Sequence, residues 1–169
     1  MRVTLIGKGI GCADAPQNDS SWGICQSLRR PWMKRIIDMN DYSLWGELEA
    51  QFDVLSRRFA AKNGIEYVDL TNYPLQAVID RFGVDYFTST VDYAIALALY
   101  EGFTEIEFYG INMVYESEYE YQKPGAEYWI GRAQGMGVNT IIHGEHSSIL
   151  KTRDGLLYGY GTPQTRVTG

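Results

Sequence analysis

The 169-residue sequence is poor in histidine, cysteine and proline, with two, two and five copies. Its longest strictly aliphatic run, Ala94 to Leu99, stops after six residues, where a membrane-spanning helix needs about 20. No membrane partner is therefore expected. Cys12 and Cys25 are too few for a disulfide framework and are expected as reduced thiols. His143 and His146 stand three apart with no further Cys or His at ligand spacing, so no metal is predicted. Basic residues are the minority, 15 against 21 acidic, for a formal net charge of −6. That balance argues against a surface that tracks nucleic acid. No repeat, low-complexity stretch or linker interrupts the chain, so residues 1–169 are read as one domain, with about 150–169 as a C-terminal hairpin or tail. The N-terminal run Met1–Gly7 enters a strand-like segment directly, without a charged-then-apolar leader, which predicts a cytoplasmic location.

What is present is an ordinary globular mixture, 45% hydrophobic and 21% charged, that alternates strand-like and helix-like segments. This alternation predicts an α/β fold: a Rossmann-like sheet, mostly parallel, with helices on both faces. Strands are expected at Val3–Ile6, Trp22–Cys25, Arg35–Met39, Ile65–Leu70, Asp85–Phe87, Thr104–Tyr109 and Val138–Ile142. Leu44, Leu48, Phe52, Leu55 and Phe59 recur at helical spacing and predict an amphipathic helix from Leu44 to Ala61. Further helices are expected at Leu75–Phe82, Val91–Tyr100 and about Gly125–Gly135. Tyrosine is abundant, at 13 copies, and supplies rings that bury area while keeping a hydroxyl for hydrogen bonding.

Three segments fall after strands, where open α/β sheets bind ligands. Gly7, Lys8, Gly9 and Gly11 form a glycine turn after the first strand, either a tight turn alone or a cradle whose amides close on an anion. The third glycine comes one residue early for a dinucleotide fingerprint, and NAD is not favoured. Thr88, Ser89 and Thr90 precede a helix, where hydroxyls cap its first turn and can also donate to a phosphate. Gly110, Asn112 and Tyr115 follow another strand; Asn112 suits a base or ribose, and the tyrosines suit either a phosphate or plain packing. The Tyr/Glu-rich stretch Tyr115–Tyr121 reads as a lid or a subunit contact, which leaves a homo-oligomer open. His146 is a candidate general base, and the catalytic residues are otherwise unassigned. Arg29, Arg30, Lys34 and Arg35 read as a solvated face or a phosphate clamp.

Several segments together, among them Val3–Gly9, Ser21–Cys25, Ile37–Asp41, Phe87–Thr90, Gly102–Met113 and Glu120–Gly125, resemble a family of Rossmann-like proteins from tailed phages and prophages. More distantly the layout is similar to MptE-like and motility-accessory-factor domains and to bacterial CMP-sialic acid sialyltransferases. The last resemblance implies a nucleotide pocket lined by Gly7, Lys8 and Gly9, by Cys25 and Gln26, by Thr88, Ser89 and Thr90, and by Gly110, Ile111, Asn112 and Tyr115. The first turn lacks the Pro-Ser of those enzymes, Cys25 replaces an asparagine, and Asn112 replaces an aspartate. The expected ligand is a small anionic nucleotide or nucleotide-sugar. The expected function is nucleotide binding, with glycosyl transfer from a nucleotide-activated sugar as one outcome. The alternatives are a phage-encoded binder that sequesters a nucleotide-derived host signal without turnover, and a virion or assembly protein with a vestigial pocket.

Overall fold

The computed structural model describes residues 1–18, 20–24, 29–44, 46–114, 119–152, 156–157 and 162–163. Six strands form one parallel sheet: β1 (Arg2–Ile6), β2 (Ser21–Ile24), β3 (Arg35–Ile37), β4 (Glu66–Val68), β5 (Glu105–Tyr109) and β6 (Asn139–Ile142). Their order across the sheet is β4-β3-β2-β1-β5-β6. Two-residue strands β7 (Leu156–Leu157) and β8 (Thr162–Pro163) pair antiparallel in the C-terminal region, where a hairpin is expected.

The helices are α1 (Glu47–Lys62), α2 (Leu75–Phe82), α3 (Thr90–Tyr100) and α4 (Tyr119–Gly135). Alternation along the strands sorts the core into two layers. Val3, Leu5, Ile106 and Phe108 face the layer that holds α3 and α4, whereas Ile6 and Ile36 face a smaller layer with Ala60 of α1. Because strands buried on both faces read as nearly unbroken apolar runs, β1 is legible from Val3-Thr4-Leu5-Ile6 alone. In α3, every residue from Val91 to Leu99 except Tyr93 is buried, because this helix is sandwiched between the sheet and α4. The sheet is Rossmann-like, and no described helix is long and apolar enough to cross a membrane.

Three local expectations need correction. Asp85–Phe87 is not a strand. This segment lies in the crossover that carries the chain from β4 back to β5 and has no strand beside it. Its apolar character serves ring packing instead: Phe87 stacks between Tyr93, at 4.3 Å between centroids, and Trp129, at 5.3 Å. The indole of Trp129 donates to its Tyr86 O at 2.8 Å.

The helix expected from Leu44 begins three residues later and buries the opposite face. Leu44, Leu48, Phe52 and Leu55 are exposed, at 80%, 60%, 43% and 46%, while Ser56 and Ala60 are buried. Finally, α4 begins at Tyr119 and runs through Pro124. Only the carbonyl four residues earlier loses its helical partner, and Glu120 at that place is exposed.

Candidate functional site at the carboxyl edge of the sheet

All six strands end at one edge, and strand order reverses between β1 and β5. Beyond β1, the glycine turn is stitched to the loop beyond β5. Gly7 N–H donates to Tyr109 O, and Gly9 N–H donates to Gly110 O, both at 2.8 Å. The glycines are dictated by this contact. A Cβ on Gly9 would lie 2.7 Å from Gly110 O, and one on Gly110 would lie 2.7 Å from Cys12 Cβ. Gly110 also holds φ +62°, where side chains are strained. The amides of Gly7 and Gly9 are thus spent inside the protein, whereas those of Lys8, Ile10 and Gly11 donate to no described group. Lys8 and Ile10 are exposed, and Gly11 stands in the left-handed region at φ +90°.

Asn112 belongs to the same cluster: its amide nitrogen lies 3.4 Å from Ile10 O. The loop after β6 braces this segment from behind. Ser147 Oγ donates to Ile111 O at 3.0 Å, Ser148 N–H to Asn112 O at 2.8 Å, and Ser148 Oγ to Met113 O. No local sequence signal marks these two serines, since their role exists only once the β5 and β6 loops meet.

Thr88, Ser89 and Thr90 form a second cluster on the same edge, built around Asp92. Its carboxylate, fully buried, accepts the amides and hydroxyls of both Thr88 and Ser89 at 2.6–3.1 Å. This is a capping box on α3. Burial pushes the Asp92 carboxyl above the ordinary range, while the four donated bonds pull it the other way. Gly125 of α4 lies against the box so closely that a Cβ there would overlap Thr88 Oγ1 and Asp92 Oδ2. Thr90 Oγ1 accepts the Met39 amide beyond β3 at 3.4 Å. All three hydroxyls therefore serve the fold. No hydrogen bond among the described residues joins this cluster to the glycine turn. Cys25, Gln26 and Tyr115 lie outside the described residues.

A further polar group comes together on the sheet face opposite α3 and α4. Glu107, with its side chain 8% exposed, lies 3.0 Å from His143 Nε2, 3.1 Å from Arg2 Nε and 3.3 Å from the Tyr109 hydroxyl. The Tyr109 and His143 rings stack at 4.0 Å. Burial, followed by the Glu107 carboxylate, raises the Tyr109 phenol above its usual value. This group borders the glycine turn, because Tyr109 O receives the Gly7 amide. Glu107 escapes sequence reading as one of seven glutamates between Glu101 and Glu127; only pairing of β5 with β1 and β6 places it between Arg2 and His143. His146 is half exposed, 4.0 Å from Glu145 Oε1, and is bonded to neither cluster.

The remaining candidates are accounted for structurally. Arg35 pairs with Glu66 and Glu101 and lies over the Trp22 ring, while Arg29, Arg30 and Lys34 are exposed. Asp38 and Asp69, beyond β3 and β4, accept bonds from Tyr42 and Asn40 and from Thr71 and Arg57. No described group of three or more acidic, histidine or cysteine residues is placed to hold a metal ion.

This edge and topology define a Rossmann-like α/β protein with a single reversal of strand order at β1/β5. No protein-family model, curated protein or solved structure matches the chain.

Proposed function

We propose that this chain binds a small anionic, nucleotide-type ligand at the carboxyl edge, over the gap between β1 and β5. The observation that carries this reading is the reversal of strand order at that gap, with the Lys8–Gly11 turn standing over it. The carboxyl ends of the strands at such a reversal are the usual ligand position in open parallel sheets. The amides of Lys8, Ile10 and Gly11, which donate to no described group, and the Lys8 ammonium suit a phosphate. Asn112 stands beside them with hydrogen-bonding atoms for a ribose or base.

Calorimetric titration with nucleoside monophosphates, nucleoside diphosphates and nucleotide-sugars is expected to show saturable binding. Lys8→Ala should weaken it by about tenfold, the scale of one hydrogen bond to a charged group. Silence toward every such compound, or full affinity in the variant, removes the site.

Glycosyl transfer is a second reading, supported by His143 held against buried Glu107 beside the glycine turn. An imidazole whose one nitrogen is fixed by a carboxylate is oriented for proton transfer at the other. Product analysis after incubation with nucleotide-sugars separates the readings. Release of free nucleotide, lost in His143→Ala, supports transfer or hydrolysis. Saturable binding with intact ligand supports a binder that sequesters it, the role expected of a phage-encoded scavenger.

A further inference from the structure

Helix α1 is amphipathic with its apolar side outward. Toward the sheet it presents Ser56, Ala60 and the pair Asp53 and Arg57, which engage Tyr67 and Asp69. Toward solvent it presents Leu48, Phe52, Val54 and Leu55, each at least 43% exposed, with Leu44 just before its first turn. A shallow depression lined by Ala50, Gln51, Val54, Leu55 and Arg58 runs beside these side chains. Leu48, Phe52 and Leu55 follow the four- and three-residue steps of a helix–helix seam, whereas Phe59 turns inward against the layer that holds Ala60. A contiguous apolar stripe of this kind on a surface marks an interaction site.

Charge along the helix selects the occupant. Its amino-terminal half carries Glu47 and Glu49, and its carboxyl-terminal half carries Arg58 and Lys62. None of these four has an ion pair among the described residues. Two copies packed antiparallel about a twofold axis between Val54 and Leu55 would set Glu47 of each against Lys62 of the other, and Gln51 against Arg58. Antiparallel packing also opposes the two helix dipoles favourably, and a twofold contact is self-complementary by construction. We infer that α1 is the seam of a homodimer, two copies of this chain pairing antiparallel through Leu48, Phe52 and Leu55.

A 16-residue helix is about 24 Å long and about 10 Å wide, less than the ~800 Å² per partner of a standard stable interface. The dimer is therefore expected to dissociate on dilution. Sedimentation equilibrium of the full chain, from micromolar to sub-millimolar concentration, should show a monomer–dimer equilibrium. Leu48→Glu and Leu55→Glu should shift it to monomer with the circular dichroism spectrum unchanged, since both side chains are already solvent-exposed. Lys62→Glu should weaken self-association, and mixing that protein with a Glu47→Lys variant should restore a heterodimer. A wild-type monomer at sub-millimolar concentration overturns the proposal. So does a dimer untouched by Leu48→Glu and Leu55→Glu, or the failure of the charge-reversed pair to associate.

Discussion

Alanine at position 110 would add one carbon where Cys12 Cβ, Gly7 O and Gly9 O already stand within 2.9 Å, at a backbone angle of +62°. Gly110→Ala is therefore expected to lower stability by more than the ~1 kcal/mol of an ordinary misplaced side chain, read as a lower denaturant midpoint. The same crowding governs Gly9, where a bulky substitution displaces the Asn112 amide as well as the turn. Loss of binding there would consequently be accompanied by loss of stability. Ser89 behaves differently, because its hydroxyl already belongs to Asp92. Ser89→Ala should cost about 1 kcal/mol of unfolding free energy, as loss of an N-cap does, and leave nucleotide affinity unchanged. A drop in affinity at constant stability would return Ser89 to the binding site. The tyrosine surplus has a related explanation: the hydroxyls of Tyr42, Tyr67, Tyr73 and Tyr109 each end on a carboxylate or a carbonyl while their rings fill the core or its edge.

At the scale of elements, α1 shows how periodicity gives a helix without giving its orientation. The spacing of Leu48, Phe52, Leu55 and Phe59 fixes a stripe, yet the sheet beneath offers Tyr67 and Asp69, which are better met by Asp53 and Arg57. That polar seam is expected to make α1 docking dependent on pH. Burial alone would raise the Asp69 carboxyl, but the Thr71 hydroxyl and the Arg57 guanidinium hold it below its ordinary value. A carboxylate with a folded pKa below the unfolded value of about 3.9 contributes stability that is complete above that value and is lost as pH falls through the folded one. Urea unfolding is expected to show wild-type stability falling between about pH 5 and about pH 3 more steeply than that of Asp69→Asn, which lacks this titration. Parallel pH profiles would show that Arg57 and Asp69 do not couple to folding.

For the whole molecule, the decisive feature is the return of the chain from β4 at one edge to β5 beside β1. It produces the reversal at the glycine turn and drives α3 and α4 onto one face, where Gly125 meets the capping box. A ligand bound only by the folded chain stabilises it by mass action, about 2.7 kcal/mol at a hundredfold excess over Kd. With a nucleotide-type ligand this should appear as a raised melting temperature and as slower amide exchange at Lys8, Ile10 and Gly11. Protection confined to 88–90 would place the ligand at the other cluster.

Much of this architecture was written locally. Val3–Ile6 reads as a strand because it is a short apolar run and Thr104–Tyr109 because it alternates, and Leu75–Phe82 reads as a helix that Gly83 stops at φ +66°. Hydroxyls before Val91 marked a helix start because capping is a short-range bond between neighbours in sequence. Asp85–Phe87, the outward stripe of α1 and the Glu107–His143 contact were not legible, since each depends on which distant segment arrives alongside. Local chemistry thus determined where elements begin and end and which turns need glycine. Only tertiary structure decided which amides of the glycine turn donate to no described group, which face of α1 meets water and which carboxylate holds the histidine, because those outcomes are set by strand order, and strand order is a property of long-range burial rather than of any window of sequence.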